Sequence, residues 1–430
     1  MGPIGFLSIW GQPEEGVTLR GLVFLVLFSI SLACGGVVGE GNKVNVLALS
    51  KINTVQTLSN WFASEPSIEY SIVPTREYGE ETRADMERYM RIYFPRSYGD
   101  LSAFDFYYLA QTDMTLLRPG QQQWIYDGLT DGLKGAVNTR SVMSTHSWFN
   151  IPWAESIVSD AFPNDADAVV ADESTQEGAP GPLVIRDDEG LPAILSPYKE
   201  PLEEVFRNLG GLNTIPKPGS VILSYTENDQ GMGSPVPGQI AHVFYWRWNQ
   251  STTFTFRDMV YDPFWSAPTT GSAISNPYSL DIIANIIWFS TGRELPQDPL
   301  KVHDLRRDLF DYGIKKSLLT SLLDFAEIFG ANPTSEYAAM DEVEDIRREA
   351  AQSYLDRDFE TAYDLMKEAL SELTKLEDSA TKLKDRALLW VYVVEWSVTT
   401  GVLLVAGVIL WTLMIKRALY REVKATKWTR

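Results

Sequence analysis

The sequence predicts an α/β domain followed by a helical stalk and one membrane-spanning helix near the C-terminus. Three features of the chain lead to this fold class. Strand-like and helix-like segments alternate from Val44 to about residue 300, a charged helical pattern begins at Lys301, and residues 396–415 carry no charged side chain. Strands that are separated by single helices favour parallel pairing, with helices on both faces of the sheet. We therefore expect a doubly wound, mostly parallel sheet, a helical hairpin and a single span.

The α/β domain is expected to occupy residues 40–300. Short apolar runs indicate strands at residues 44–49, 68–73, 104–110, 135–142, 166–171, 221–225, 240–246 and 254–261, the last as an edge strand. Helical spacing indicates helices at residues 55–63, 80–94, 121–129, 151–162, 201–209 and 280–289. Pro119 precedes the third helix, where proline is tolerated because the first helical N–H groups have no partner.

Residues 301–390 are expected to form the stalk. The helical pattern covers residues 305–309, 314–329 and 335–354, and the chain then turns before a further helix begins at Phe359. Apolar residues recur in that helix at three- and four-residue steps, as on a helix that packs against a neighbour. If it continues into the membrane, the rod from Phe359 to Ile415 is ~85 Å long. An exposed apolar stripe on such a hairpin favours self-association.

Residues 391–415 are assigned to the transmembrane helix and residues 416–430 to a cytoplasmic tail. The uncharged run rises ~30 Å as a helix, which is the thickness of a bilayer's hydrocarbon core. The tail is rich in lysine and arginine, with Glu422 as its one acidic residue, and the positive-inside rule places the α/β domain outside the cell. A net charge of −20 argues against a nucleic-acid partner. The expected partners are the bilayer, a second copy and a membrane protein.

The N-terminus carries a second apolar run, residues 21–33, which has the length of a signal-peptide core. Ser31 and Ala33 are small residues at the usual positions for cleavage after Ala33, so residues 1–33 are predicted to be a signal peptide. Two alternatives remain open, an uncleaved anchor from residue 21 to about residue 38 and a lipoprotein site at Cys34. Because Cys34 is the only cysteine, the α/β domain contains no disulfide and no cysteine nucleophile.

Several segments of the α/β domain carry a resemblance to a known family. They are the first strand at residues 44–49, Gln111-Thr112-Asp113 after the third strand, Leu117-Arg118-Pro119 before the third helix, and Gly135-Ala136-Val137 in the fourth strand. The region 44–300 resembles the class I glutamine-amidotransferase-like fold, which is related to flavodoxin. The layout of the whole chain is similar to that of membrane-anchored, mostly archaeal, uncharacterised proteins with this domain. The resemblance implies a doubly wound sheet.

The catalytic residues of that family have no counterparts in this sequence. Active members carry a cysteine at the turn after the fourth strand, with a His-x-Glu pair further along the chain. Residues 141–148 contain no cysteine, and His242 is followed two residues later by Phe244. The resemblance therefore implies the fold but no catalytic triad.

A serine–histidine pair provides a weak alternative for catalysis. Ser144 and His146 lie near the predicted carboxyl edge of the sheet, where Asp113 or Glu155 could supply a carboxylate for a hydrolytic site. No Gly-x-Ser-x-Gly turn accompanies Ser144, so a structural or ligand-contacting role is the competing interpretation.

Other polar motifs have plain interpretations. The three histidines lack metal-ligand spacing, and Asp187-Asp188-Glu189 is typical of a solvated turn, so we expect neither a metal nor a cofactor. The aromatic residues 245–248 suit strand packing, with sugar stacking as the alternative. Asn249 begins a glycosylation sequon.

Together these features favour a non-catalytic ectodomain that is anchored at the cell surface and serves binding, scaffolding or assembly. The alternatives are an extracellular hydrolase that uses Ser144 and His146, and a ligand-binding subunit of a membrane transporter or sensor. The second alternative requires a membrane partner, because the tail is too short for a signalling domain.

Overall fold

The computed structural model describes residues 43–139, 151–165, 177–212, 215–227, 238–258, 260, 264–265 and 276–426. Within these residues the chain forms a mixed sheet of eight strands, a two-stranded sheet and a long C-terminal helical region. The signal peptide, Cys34, Ser144, His146 and the strand expected at residues 166–171 lie outside the described residues.

The eight-stranded sheet has the order β2-β1-β3-β4-β10-β9-β8-β6. The first five of these strands are parallel, and the remaining pairs are antiparallel. The small sheet pairs β5 with β7. The strands are β1 (Val44–Lys51), β2 (Ile68–Arg76), β3 (Phe106–Ala110), β4 (Gly135–Asn138), β5 (Glu177–Gly181), β6 (Leu183–Ile185), β7 (Leu209–Leu212), β8 (Val221–Glu227), β9 (Gln239–Trp248) and β10 (Ser251–Phe256).

Helices cover both faces of the parallel part of the sheet. Along β1, Val46 and Ala48 belong to one apolar cluster while Leu47 and Leu49 belong to another, as the two-residue period of a strand requires. Helices α1 and α7 close the first cluster, and α2, α3 and α4 close the second. The helices are α1 (Val55–Ser64), α2 (Arg83–Tyr93), α3 (Tyr98–Ser102), α4 (Pro119–Asp131), α5 (Ile151–Ala154), α6 (Lys199–Val205), α7 (Ser279–Ser290), α8 (Pro299–Ile328), α9 (Thr334–Leu355) and α10 (Phe359–Thr426).

Two expectations for the α/β domain are wrong. The strand placed at an edge is β10, which lies in the middle of the sheet between β4 and β9. The helix expected at residues 151–162 is broken into α5 and a 3-10 turn at Ile157–Ala161. Ser156 causes the break, because its backbone is extended and its hydroxyl accepts a hydrogen bond from the Val158 N–H.

The C-terminal region contains three packed helices rather than a hairpin of two. The segments expected at residues 305–309 and 314–329 form one continuous helix, α8. Helix α9 returns along it, Arg357 turns the chain with a left-handed backbone (φ 67°), and α10 then runs beside both. Alanines 362, 369 and 380 are fully buried on the inner face of α10, where small side chains allow a close approach of the helices.

Helix α10 continues beyond this bundle without a break. It has 68 residues and is therefore ~100 Å long. Among the side chains that are described, Ala387 is the last buried one, and the large apolar side chains from Tyr392 to Tyr420 are exposed. Among the described residues, α10 is the one helix that is long and apolar enough to cross a membrane.

A buried ionic cluster joins the helical bundle to the α/β domain. Arg306 of α8 donates to Glu65 Oε2 (2.6 Å, from Nε) and to Asp281 Oδ1 (2.6 Å, from Nη1). The Tyr354 hydroxyl of α9 donates to Glu65 Oε2 at 2.9 Å, and the Trp288 ring lies 5.0 Å below the guanidinium. We call Arg306, Glu65, Asp281 and Tyr354 the Arg306 cluster. It connects α1, α7, α8 and α9 at one point.

Because the Arg306 cluster is buried, the protonation state of each member depends on the charges of the others. Burial alone lowers the pKa of the Arg306 guanidinium, but the carboxylates of Glu65 and Asp281 raise it well above its ordinary value. Burial and then the Glu65 carboxylate raise the pKa of the Tyr354 phenol, which stays protonated and donates. Removing one partner therefore leaves another charge buried without compensation.

Arg306→Met is predicted to lower the free energy of unfolding by about 3–5 kcal/mol, because two buried carboxylates lose their counter-ion. Arg307→Met is the matched control, since Arg307 is exposed and pairs only with its helical neighbour Asp304, which contributes under ~1 kcal/mol. Urea unfolding of the full-length protein in detergent, followed by tryptophan fluorescence, measures both. Equal midpoints for the two variants would contradict the role of the Arg306 cluster.

Candidate functional site

The carboxyl ends of the parallel strands form the edge at which ligands bind in open α/β sheets. Strand pairing places the end of β1 beside the end of β3, and β4 between β3 and β10. Polar residues follow each strand at this edge, and they are Ser50, Lys51, Gln111, Thr112, Asp113, Asn138, Thr139, Arg257 and Asp258. Sequence reasoning identified Asp113 alone among them.

Asp113 has a structural role in this edge. Its Oδ1 accepts hydrogen bonds from the backbone N–H (2.9 Å) and the hydroxyl (2.7 Å) of Thr115 and so begins a short 3-10 turn. Its Oδ2 lies 3.4 Å from an Arg83 nitrogen. Both oxygens therefore have partners. Glu155 is exposed, and the serine–histidine pair predicted with these carboxylates lies outside the described residues.

Two buried hydroxyls on one face of this edge lack a hydrogen-bond partner within the described residues. Ser50 is opposite Ala110 in the parallel register, and the backbone of Thr139 continues the ladder on the far side of β3. The alternation of side chains places Ser50, Ala110 and Thr139 on the same face. Ser50 Oγ and Thr139 Oγ1 are both buried and unpaired, with only a methyl group on the strand between them.

The opposite face of the edge carries a similar polar pair. Asn138 Nδ2 donates to Asn164 Oδ1 at 3.3 Å, and the Thr255 hydroxyl donates to the same oxygen at 3.2 Å. Asn138 Oδ1 and Asn164 Nδ2 are left as a buried acceptor and donor without partners in the described part of the chain. A buried polar atom without a partner costs ~1–3 kcal/mol, and ordered water or a ligand can supply the missing bonds.

Two cations lie side by side where β1 and β2 end. Lys51 is opposite Arg76 in the strand register, and its ammonium lies 4.6 Å above the Tyr78 ring. Burial and then the charge of Arg76 lower the pKa of the Lys51 amine.

The antiparallel half of the sheet contains a buried Ser-His-Asp chain. The Ser224 hydroxyl of β8 lies 2.9 Å from Nδ1 of His242 in β9, and Nε2 of His242 lies 2.6 Å from Oδ2 of Asp258. A neutral imidazole satisfies both contacts, with Nε2–H donating to the carboxylate and Nδ1 accepting from the hydroxyl. The His242 ring also packs edge-on against Phe264 at 4.5 Å between ring centroids.

This chain of residues has the composition of a hydrolase triad but lacks its accessibility. All three side chains are at most 1% exposed, so a substrate carbonyl cannot reach the Ser224 oxygen. Ser224 also lies within β8 at a register irregularity rather than at a turn between a strand and a helix. The contacts therefore tie β8, β9 and the end of β10 together. In the sequence, the one indication of this Ser-His-Asp chain is His242, a polar residue within the apolar run of β9.

The remaining sequence candidates lie on or near the surface. Trp246 stacks on Trp248 at 5.7 Å between ring centroids, and its indole donates to the Ala161 carbonyl, so these rings pack within the domain. Asn249 is exposed in the β9–β10 turn with φ 52°, and its glycosylation stays a prediction. Asp187 pairs with Lys199 at 3.0 Å on the surface. The residues that the structure describes contain no cluster of three metal-ligating side chains.

Two serines provide a matched test of this description. Ser224→Ala is predicted to destabilise the protein by about 1–2 kcal/mol, because it removes a buried bond to His242. Ser50→Ala removes an equally buried hydroxyl that has no partner, so its effect is predicted to lie between ~0.5 kcal/mol of destabilisation and a gain in stability. Chemical denaturation of the full-length protein measures both. A larger loss for Ser50→Ala than for Ser224→Ala would contradict the assignment.

Comparison with known proteins leaves the chain without an assigned family. No family model and no curated protein matches it. Solved structures that align with it include the cytoplasmic proteins STM1381 from Salmonella typhimurium LT2 (TM-score 0.40, 12% identity) and STM3548 from Salmonella typhimurium (TM-score 0.41, 10% identity). Each alignment covers 57% of this chain, with 99% and 98% of the respective neighbours. Similarity at this level assigns neither fold family nor function.

Proposed function

We propose that this protein is a membrane-anchored, non-catalytic binding or assembly protein whose α/β head is held at a fixed height above the bilayer. The observation that carries the proposal is the continuity of α10. One unbroken helix contacts the head at Phe359, packs in the bundle as far as Ala387 and continues as the exposed apolar segment. Loops or hinges that would uncouple the head from the span are absent from this described segment.

The height of the head follows from helix geometry. Phe359 stacks on Trp288 of α7 at 5.9 Å between ring centroids, which fixes the upper end of α10 at the head. Trp396 marks the outer end of the uncharged run. The 37 residue steps between them correspond to ~55 Å at helical rise. The bundle of α8, α9 and α10 stiffens most of this length.

The described residues support a head without catalytic activity. Ser224, His242 and Asp258 are sealed within the sheet, and both oxygens of Asp113 are used in the turn that follows β3. The order β2-β1-β3-β4 of parallel strands supports the glutamine-amidotransferase-like interpretation of the head, whose catalytic cysteine has no counterpart in the sequence. Hydrolysis of glutamine, esters or glycosides by the purified full-length protein would contradict this part of the proposal.

A ligand-binding role for the head is the second candidate. It is favoured by the buried, unpaired hydroxyls of Ser50 and Thr139 at the carboxyl edge of the sheet. Lys51 and Arg76, which are opposite each other in the strand register, lie beside Ser50 at this edge. If a ligand binds there, Thr139→Val weakens its binding while leaving the fold intact, since valine has the same shape as threonine.

The proposed topology places the head outside the cell, with the basic tail in the cytoplasm. The position of Lys43 also limits whether the N-terminal apolar run, residues 21–33, can enter the same bilayer. The Lys43 carbonyl accepts a hydrogen bond from Arg293. The carbonyl of the next residue, Glu294, accepts one from Arg357, which lies two residues before α10. Lys43 therefore lies near the upper end of α10. A chain of five residues from Val38 to Lys43 reaches at most ~17 Å.

That reach is too short for a second anchor in the same bilayer. The span of α10 begins ~55 Å below its upper end, and closing this gap would need a tilt of about 70°, whereas spans tilt by ~0–40°. A lipid on Cys34 would lie nine residues from Lys43, within ~32 Å, which is also too short for an upright rod. We therefore infer that residues 1–33 are removed as a signal peptide and that Cys34 carries no lipid anchor.

The anchoring proposal predicts that the full-length protein remains in the membrane pellet after alkaline carbonate extraction. A chain that ends at Glu395 is predicted to move to the soluble fraction, because it lacks the uncharged run. Lys416→Glu serves as the control, since it changes charge but keeps the apolar length. Full-length protein in the carbonate supernatant would contradict the anchor.

The reach argument predicts that the mature protein begins at Cys34, which intact mass measurement and N-terminal sequencing would show. Ala33→Leu should block cleavage and leave two hydrophobic segments that cannot both enter the bilayer while the head is folded. This variant is therefore expected to become sensitive to protease. Inserting about forty Gly/Ser residues before Lys43 in the same variant should restore resistance, because the chain can then cross the ~55 Å gap without full extension. Stable, uncleaved wild-type protein would contradict the inference.

A further inference from the structure

The outer face of α8 carries an apolar stripe that no described residue covers. Five large apolar side chains lie on it, each between 40% and 79% exposed, and they are Phe310, Ile314, Leu318, Phe325 and Ile328. Their steps of four, four, seven and three residues keep them on one side of the helix. We call these five residues the outer stripe. It is ~27 Å long at helical rise.

The opposite face of α8 is already occupied. Leu305, Tyr312, Leu319 and Leu323 are buried against α9, α10 and the head. Helix α8 is therefore apolar on two opposite sides, unlike a surface helix, which has one apolar face and one polar face. The second apolar face is an exposed patch bordered by polar side chains, and a patch of this kind marks an interaction site.

We propose that a second copy of this chain covers the outer stripe, so that two rods associate side by side in the membrane through their α8 helices. The proposal rests on the anchoring proposed above, because anchoring sets the orientation of both copies. Two chains in one bilayer stand parallel, with their spans at the same level. A two-fold axis along the membrane normal then brings identical stripes into register.

The direction of the outer stripe distinguishes a second copy from a lipid surface. The stripe runs along the rod from Phe310 near the head to Ile328 at the end of α8. A bilayer surface that lies across the rod could touch only the lower end, near Phe325 and Ile328. Only a partner that stands parallel to the rod covers Phe310 and Ile314 as well, and a second anchored copy has that orientation.

The area of the outer stripe is sufficient for a specific contact. An aromatic side chain buries ~150–250 Å², and the stripe contains two phenylalanines and three large aliphatic residues. At 40–79% exposure, their exposed parts on both copies amount to roughly 1,000 Å² in a pair. This is close to the lower limit for a specific interface. The restriction of both chains to one membrane raises their effective concentration and favours an interface of this size.

The geometry separates this pairing from contacts between the spans. Helix α10 packs on the inner side of α8, and each helix-to-helix step is ~8–10 Å. The two spans would therefore lie about 25–30 Å apart. Cysteines in the α8 stripe of two copies would meet, whereas cysteines in the two spans would not.

Cysteine crosslinking in native membranes tests the pairing. In a Cys34→Ser background, Ser321→Cys introduces a thiol on the stripe, since Ser321 is exposed between Leu318 and Phe325. It is expected to form a disulfide-linked dimer after mild oxidation, because the Cα atoms of facing residues approach within ~7 Å. Thr399→Cys in the span is expected to give no dimer. A dimer with Thr399→Cys but not with Ser321→Cys would overturn the proposal.

A charge introduced into the stripe provides the second arm. Leu318→Glu, added to Ser321→Cys, is expected to reduce the crosslinked fraction at least tenfold. Leu133→Glu is the matched control, because Leu133 is 63% exposed and Leu318 is 66% exposed, but Leu133 lies on the head beside Gly292 and outside the outer stripe. A crosslink to a different protein, or one that Leu318→Glu leaves unchanged, would overturn the pairing. Carbonate extraction of the same membranes shows separately whether anchoring itself has failed.

Discussion

Arg306 holds the head and the helical bundle together through contacts with three other elements. It bonds Glu65 at the end of α1 and Asp281 in the first turn of α7, and Tyr354 from α9 completes the group. Because all of these side chains are buried, the cluster tolerates little displacement of one element against another. The cluster therefore sets the direction of α8 against the head, together with the stacking of Phe359 on Trp288 at the upper end of α10.

The apolar patterns in the sequence predicted most of the helices and strands, because the period of two or of 3.6 residues is a local property. The contacts that orient these elements are not local. Arg306 and Glu65 are 241 positions apart, and nothing in either segment marks the other as its partner. The same limit explains β10, which resembles an edge strand by itself and becomes central because β4 and β9 flank it. The break at Ser156 depends on one hydrogen bond from the Val158 N–H to the Ser156 hydroxyl, and the apolar spacing of residues 151–162 gives no indication of it.

At the candidate site, the sequence likewise predicts the position of some polar residues, and only the structure shows which hydrogen bonds they make. The sequence places Asp113 after β3, but only the structure shows that both of its oxygens serve the following turn. Ser224, His242 and Asp258 are unremarkable in sequence and form a hydrogen-bonded chain only when three antiparallel strands are paired. In contrast, Ser50 and Thr139 lack partners where parallel strands end. The buried hydroxyls that still need a hydrogen-bond partner therefore lie at the parallel edge, not in the group that resembles a triad.

Because α10 is continuous, the head at its upper end moves with any tilt of the proposed span at its lower end. A change of 10° in the tilt of the span displaces the upper end of the rod sideways by about 10 Å, since the rod is ~55 Å long. If α10 spans a membrane as proposed, the lateral position of the head follows the local lipid composition, because spans tilt when the thickness of the surrounding bilayer changes. Rotation of the proposed span about its own axis would likewise turn the head, because one continuous helix joins the two.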